Sequence, residues 1–373
     1  MALGNVRGLR RERMNASPRF DGQTFRNTHR ADAPRLKKGS VLPTLGEFLI
    51  GRERRTPPGR LPTASPLEAW RRPAETGLRA TWLGHSTVLL ELDGARILTD
   101  PVWGERASPV TFAGPKRFQP VPVPIHALPE LDAVLVSHDH YDHLDQPTVL
   151  ELARLAVPFI TSLGVGAHLE GWGVPQERIT ELDWWEHVEL PRNGIRITAA
   201  PSQHFSGRRV GGRNATAWSS FHVRGPRHSA FFSGDTGLTP EYDDIRLRLG
   251  PFDLVMLEVG AYHPAWGDIH LGPENALAAH AMLGGGAFLP VHWGTFNLAL
   301  HAWDEPPETL VRLAPSNGVH LVMPLLGEAM EPSRVERVQP WWRSLGGKAA
   351  PTPPPQAEPE APDTGASLEW PID

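Results

Sequence analysis

The chain has 373 residues, a net charge of −5, 40% hydrophobic and 21% charged residues, and no cysteine. This is a globular composition with enough core for one large domain or two ordinary ones. It excludes disulfides, thiolate zinc sites and cysteine nucleophiles, and it offers no global field for nucleic acid. No apolar run approaches the ~18 residues of a membrane span. Arg10, Arg11 and Arg13 are not followed by an apolar core of signal-peptide length, so a cytoplasmic address is the expectation.

Charge is unevenly spread: the first 60 residues carry 14 Lys/Arg against 5 Asp/Glu. Residues 1–74, rich in Arg, Pro and Gly, read as a basic, mostly extended arm with a short helix over Leu42–Ile50. The arm is either a leader without fixed structure or a strap that wraps the domain or meets a partner, anionic lipid included. A single folded domain is expected over 75–345. The Pro/Glu-rich stretch 346–373 is a compositional case for disorder.

Within the domain, two strand segments over Ala80–Leu92 break at Gly84-His85, and Asp93-Gly94 is a hairpin turn into a strand over Arg96–Asp100. A Pro-rich loop runs from Pro101 to Pro129, and Leu131–Val136 is a buried strand. A helix is predicted over Pro147–Ala156, a strand over Pro158–Thr161 and a helix over Gly166–Trp172. Strands follow at Thr180–Asp183 and Gly194–Ala200, then a hairpin from Ala217–Val223 and Ser229–Ser233. Phe252–Glu258 is a strand, Pro273–Met282 a helix, Ala287–Val291 a strand, Glu308–Leu313 a helix and Val319–Pro324 a last strand. Strand pairs interleaved with helices place sheets in the middle and helices outside, an α/β (α+β) class.

The chemistry concentrates where the strand ending at Val136 becomes a loop. In Ser137-His138-Asp139-His140-Tyr141-Asp142-His143, three histidines and two aspartates occupy six positions. Imidazole nitrogens and carboxylate oxygens are ligands for zinc and its neighbours. An extended segment sends alternate side chains to one side, so His138 and His140 converge on one metal while Asp142 and His143 reach a second. His204, Asp235, His292 and Asp100 each stand at a strand end and are candidates to complete the site. Gly234 and Gly237 imply a tight turn that presents Asp235.

The succession His138-Asp139-His140-Tyr141-Asp142-His143, His204, Asp235, His292 resembles the metallo-β-lactamase superfamily. The flanking Trp82-Leu83-Gly84-His85-Ser86-Thr87, Gly114-Pro115-Lys116-Arg117-Phe118, Pro201-Ser202-Gln203-His204 and His292-Trp293-Gly294-Thr295-Phe296 resemble its N-acylphosphatidylethanolamine-hydrolysing phospholipase D branch, over about residues 78–325. The resemblance implies a four-layer αβ/βα sandwich with two divalent metal ions, zinc first, with Mn2+ or Fe2+ as alternatives. It implies His138, His140 and His204 on the first metal, Asp142, His143 and His292 on the second, and Asp235 bridging both. A hydroxide held between the metals would hydrolyse a phosphodiester of an N-acylphosphatidylethanolamine-like phospholipid. Catalytic roles fall to Asp142, Asp235 and His270, the last binding phosphate or protonating the leaving group. His85 and Asp100 would orient ligand imidazoles.

Two other functions stay open. One is a lactonase similar to the ascorbate-6-phosphate lactonases, acting on a small-molecule substrate; the other is a catalytically silent metal- or lipid-binding protein. The branch is expected to carry an acidic residue where Gly272 stands. Trp184-Trp185 and Trp341-Trp342 either line an acyl-binding surface or pack internally. Arg208, Arg209 and Arg213 either grip phosphate or form a solvated face. Glu258, His263 and His301 have no assigned role. Oligomeric state is open, a homodimer included.

Overall fold

The structure is a computed structural model that describes residues 8–29, 53–208, 212–263, 266 and 268–345. Among the described residues thirteen strands form two sheets. The first is built from β1 (Leu78–Gly84), β2 (Thr87–Leu92), β3 (Ala95–Thr99), β4 (Ala133–Val136), β5 (Phe159–Ser162), β6 (Ile179–Leu182) and β13 (Ala329–Met330), in the order β13-β1-β2-β3-β4-β5-β6. The second holds β7 (His187–Glu189), β8 (Arg196–Ala200), β9 (Ser220–Arg224), β10 (Ser229–Phe232), β11 (Leu254–Glu258) and β12 (Ala287–Val291), in the order β12-β11-β10-β9-β8-β7.

Most central strands are buried on both faces, and period-two alternation sorts their side chains. In the first sheet Leu90, Ile97, Leu135 and Ile160 point inward and join Ile197, Phe221 and Phe232 of the second sheet in one core cluster. The intervening Leu89, Leu98, Val134 and Phe159 point outward. There they meet Val149 and Leu152 of α2 (Gln146–Leu152) and Leu169 of α3 (Gly166–Gly171). Over the second sheet lie α4 (Glu241–Leu249), α5 (Gly272–Met282) and α6 (Glu305–Leu313), with Ile245, Leu277 and Leu310 buried. The result is helix, sheet, sheet, helix: the expected αβ/βα sandwich.

The structure departs from the expected elements in several places, and the short strands β7 and β13 were not expected at all. Helix α4 went unread: only Tyr242 and Ile245 mark its buried face, although acidic residues at its start and arginines at its end suit the helix dipole. Val319–Pro324 is not a strand. Leu321 alone bridges Phe288, and Pro324 has no N–H with which to extend the pairing. Over Leu9–Ala16 the basic arm is not extended but helical (α1). Arg10 reaches Glu181 (2.6 Å) and Glu170 (2.8 Å), Arg13 reaches Glu186, and Arg19 reaches Asp183. Partners more than 150 residues away in sequence stabilise this turn of chain, so composition alone could not show it. The predicted Leu42–Ile50 helix, Arg209 and the 346–373 tail lie outside the described residues.

Candidate metal centre

The strand directions decide where the chemistry gathers. β3, β4 and β5 run parallel, as do β10, β11 and β12, so their carboxyl ends share one edge of the sandwich. Two antiparallel steps bring the ends of β1 and β8 to the same edge. His85 follows β1, Asp100 follows β3, the 137–143 loop follows β4, His204 follows β8, Asp235 follows β10 and His292 follows β12. Ligands in open α/β sheets collect at such ends because loops there converge.

Side-chain donor atoms form two groups at that edge: His138, His140, His204 and Asp235, then His85, Asp142, His143 and His292. In the first, His138 Nε2 lies 2.8 Å and His204 Nε2 3.3 Å from His140 Nδ1. Asp235 Oδ2 is 3.8 Å from His138 and 3.6 Å from His204. The same carboxylate faces the second group, with Oδ2 3.1 Å from His143 Nε2 and Oδ1 3.2 Å from His292 Nε2. Asp142 Oδ2 stands 3.5 Å from His143 and 3.3 Å from His292. All seven ligand candidates are therefore brought together, with Asp235 between the two sets. At Gly234 (φ +55°) an added Cβ would lie 2.6 Å from that of Ser137, so glycine is what lets the Asp235 turn close on the metal loop.

The imidazoles are aimed from behind. His143 Nδ1 meets Asp100 at 2.7 Å, His138 Nδ1 meets Ser137 Oγ at 2.9 Å, and His204 Nδ1 donates to the Ile269 carbonyl at 2.9 Å. Asp100, fully buried, also accepts from Ser137 Oγ (2.6 Å) and Ser137 N (2.7 Å). Such contacts at one ring nitrogen leave the other free to bind. Asp100 thus faces an imidazole, that of His143. His85 does not: its Nε2 meets the Asp142 carboxylate at 3.0 Å rather than an imidazole, while its carbonyl accepts from His292 N at 3.0 Å. His85, Asp100 and His292 all hold positive φ (52°, 32° and 65°), conformations that non-glycine residues adopt at a cost of about 1–3 kcal/mol each.

Two ionised carboxylates, Asp142 and Asp235, set the electrostatics of the site. Burial lowers His138 and His204, and takes His85 down to about 3. Burial acts the same way on His143 and His292, but Asp235 and Asp142 outweigh it. His143 rises well above the ordinary imidazole value and His292 is pushed up to about 10. Burial would raise Asp142 and Asp235; His143 beside both, with His292, instead holds them well below the usual carboxylate range. Buried His143 Nε2, His292 Nε2 and Asp235 Oδ1 make no hydrogen bond of sound geometry. Buried polar atoms without partners normally carry a penalty, and a cation accepting their lone pairs removes it. An all-nitrogen and oxygen donor set fits zinc, manganese or iron.

Residues around these ligands complete the setting, among them Glu258, to which the sequence assigned no role. His270 Nδ1 meets Glu258 Oε1 at 3.0 Å, and its own donor atom lies with those of Asp235 and His292. Burial would lower His270, but the Glu258 charge and hydrogen bond leave it raised. Glu258, at the end of β11, was legible only as a strand-end carboxylate. Asp139 is not among the grouped ligand atoms: it accepts from Gly207 N (2.7 Å) and faces His168 Nε2 (3.3 Å), as alternation along an extended segment allows. Arg208 donates to the Asp139 (2.8 Å) and Leu144 (2.6 Å) carbonyls, so it braces the metal loop; Arg213 lies over Phe205. His301 accepts from Ala261 N and stacks on Tyr262, and His263 packs on Trp266. At Gly272 a Cβ would lie 2.9 Å from the Tyr262 ring, so the acidic residue expected there has no room in this chain. Trp184 and Trp342 are buried, donating to Trp218 O and Glu308, and Trp341 stacks on Trp293, while Trp185 stays partly exposed beneath the Arg248 guanidinium.

Comparison with known proteins agrees with this geometry. The sequence pattern of the Beta-lactamase superfamily domain matches residues 95–293. An uncharacterized protein of Mycobacterium tuberculosis is 44% identical over 346 residues, 92% of each chain. N-acyl-phosphatidylethanolamine-hydrolyzing phospholipase D 1 of Caenorhabditis elegans is 40% identical over 251 residues, 64% of this chain and 70% of that one. A metallo hydrolase from the archaeon Ignicoccus hospitalis shares the fold, with a TM-score of 0.53 at 21% identity over 68% of this chain and 97% of its own. With two sheets that converge a His/Asp centre on one edge, the chain belongs to the metallo-β-lactamase superfamily, as a metal-dependent hydrolase of the branch that includes the N-acylphosphatidylethanolamine-hydrolysing phospholipases D.

Proposed function

We propose that this chain is a binuclear phosphodiesterase of phospholipase D type, acting on N-acylphosphatidylethanolamine-like phospholipids. The observation that carries the reading is Asp235, a single buried carboxylate facing both sets of imidazoles, with Oδ2 toward His138, His204 and His143 and Oδ1 toward His292. His138, His140 and His204 would hold one divalent ion, Asp142, His143 and His292 the other, with Asp235 shared. When bound, such a pair supplies Lewis acidity and a water acidic enough to attack near pH 7. The chain's own work is to orient and to move a proton. Asp142, held by His85, fixes the direction of its carboxylate. His270, its Nδ1 backed by Glu258, has its donor atom grouped with those of Asp235 and His292, so a proton held by this ring could be given there to a phosphoryl or leaving oxygen. The kinship with a phospholipase D supports a lipid substrate, cleaved to an N-acylethanolamine and phosphatidic acid.

A finger beside the site supports contact with a lipid surface. Arg106 and Lys116 bridge its base, and the Arg106 guanidinium donates to the Thr111 (3.1 Å) and Gly114 (2.7 Å) carbonyls. Its tip exposes Val110 and Phe112; Phe112, at 82%, is the most exposed large hydrophobic side chain among the described residues. The finger's roots touch the site: Gly104 N donates to Asp145, and Arg117 covers Phe296, which meets His85 edge-on. No helix among the described residues is long and apolar enough to cross a membrane. The arm's Arg10, Arg13 and Arg19 are paired within the chain, so the finger is the better lipid contact.

The test is elemental analysis of purified protein, followed by turnover of N-acylphosphatidylethanolamine vesicles on the same sample. Two metals with N-acylethanolamine release, both lost in Asp235→Asn, is the expected result. Two metals with turnover of a lactone and not of the lipid would transfer the assignment to a lactonase. Two metals without turnover of either would leave a binding protein, and a folded protein that takes up no zinc would end the mechanism.

A further inference from the structure

His204 is the one first-group ligand candidate outside the 138–143 loop apart from Asp235, and its backbone lies in a stretch without helix or strand, residues 201–207. Peptide groups in such a stretch need partners from elsewhere. Those of Gln203 find them next door, with N–H donating to Thr236 Oγ1 (3.0 Å) and C=O accepting from Gly237 N (2.8 Å). Those of His204 are both taken by one side chain 177 residues away: Asn27 Nδ2 donates to His204 O (2.9 Å), and Asn27 Oδ1 accepts from His204 N (3.1 Å). A carboxamide carries a donor and an acceptor side by side, so it can act as a strand's peptide group would. The same Oδ1 accepts from Trp218 Nε1 at 3.0 Å, which fixes the amide's orientation.

Asn27 is itself firmly placed. Phe25 is fully buried in a small core with Met14, Phe20, Leu163, Trp184 and Trp218. Its N–H donates to Asn214 O (2.8 Å), and Arg26 N donates to Arg19 O (2.9 Å). The Arg19 guanidinium lies 3.6 Å over the Trp184 ring and pairs with Asp183. With the ring held through Nδ1 by Ile269 O and the backbone held by Asn27, His204 is constrained at both ends.

We propose that Asn27 is a positioning residue for the metal centre, and that the N-terminal segment is thereby part of the site although it lies outside the 95–293 family match. It acts through His204 and touches neither substrate nor reacting atoms. The inference rests on His204 being a metal ligand and on nothing about the substrate.

The experiment compares full-length wild type, Asn27→Ala, Asn27→Asp and Arg13→Ala. Metal affinity is read by competition with a chelator, ligand geometry by the visible absorption of the Co2+-loaded proteins, and folding by thermal melting without metal. Asn27→Ala should release one metal about tenfold more readily, within the 10–100-fold that loss of supporting contacts produces, and should alter the Co2+ bands. Asn27→Asp keeps the acceptor for His204 N but sets a carboxylate oxygen against His204 O, acceptor against acceptor, so it should lose at least as much as Asn27→Ala. Arg13→Ala removes an arm contact that does not reach His204 and should keep wild-type affinity and bands. Wild-type affinity and spectrum in both Asn27 variants would overturn the proposal. So would equal losses in Arg13→Ala, which would make the effect one of general arm docking. If Asn27→Ala fails to fold, Asn27→Asp decides alone, by the same two readouts. A wild type without metal would refute the reading of the centre itself, an outcome distinct from these.

Discussion

Replacing Asp100 with asparagine tests how far the centre depends on a residue that no substrate reaches. Asp100 is fully buried and accepts three hydrogen bonds, at 2.7 Å from His143 Nδ1, 2.6 Å from Ser137 Oγ and 2.7 Å from Ser137 N. Asparagine keeps the volume and can leave its oxygen toward Ser137 N. Its NH2 then faces His143 Nδ1–H, donor against donor. The ring must swing away or move its proton to Nε2, the atom that faces Asp142 and Asp235. A hydrogen bond to a charged group is worth about 1.5–3 kcal/mol, which is roughly 10–150-fold in an affinity. Loss of such a supporting contact commonly weakens metal binding by about 10–100-fold. We therefore expect Asp100→Asn to fold and to retain the first metal, while its second metal passes to a competing chelator at about tenfold to hundredfold lower chelator concentration. Elemental analysis at each step separates the two ions. Second-metal affinity within twofold of wild type would refute the argument that Asp100 sets the tautomer of His143.

Three further outcomes follow from the same geometry. Glu258→Gln removes the carboxylate behind His270, so kcat should fall about a hundredfold with both metals retained and KM little changed; an unchanged kcat would remove His270 from proton transfer. His222 is buried against Ser229 and its pKa lies near 4 because burial disfavours its charged form. The unfolded chain takes up that proton near 6.5, so the neutral residue's contribution is complete above pH 6.5 and lost as pH falls toward 4. By linkage the loss is about 3 kcal/mol, and the wild type should lose that much relative to His222→Gln in urea melts across this range; a constant difference would contradict it. Phe112→Asp should weaken binding to phospholipid vesicles by about thirtyfold, from about 2 kcal/mol of lost aromatic burial. Hydrolysis of a short, soluble phosphodiester should be unaffected, and unchanged vesicle binding would exclude the finger.

The ligand cluster and the strands that carry it were legible in the sequence because both rest on short-range patterns. Period-two alternation marks a strand such as Ala133–Val136, and ligand residues at its end, His138 to His143, need only a few bonds of chain to converge. His204, Asp235 and His292 were recognisable one by one as strand-end residues, and resemblance joined them to the cluster. What a residue touches across the fold was not legible. Glu258 gave no local sign that it backs His270, His85 supports a carboxylate where an imidazole was expected, and Arg208 braces backbone where a phosphate grip was open. The basic arm shows the limit most clearly. Its composition suggests solvated or lipid-seeking chain, yet Arg10, Arg13 and Arg19 find carboxylates more than 150 residues away and Asn27 takes up the free peptide groups of His204. Local sequence determines backbone periodicity and the kind of chemistry a loop can offer, since both depend on neighbouring residues. Which charges are cancelled and which imidazole nitrogen faces the centre depend on partners that only the closed sandwich brings within hydrogen-bonding distance.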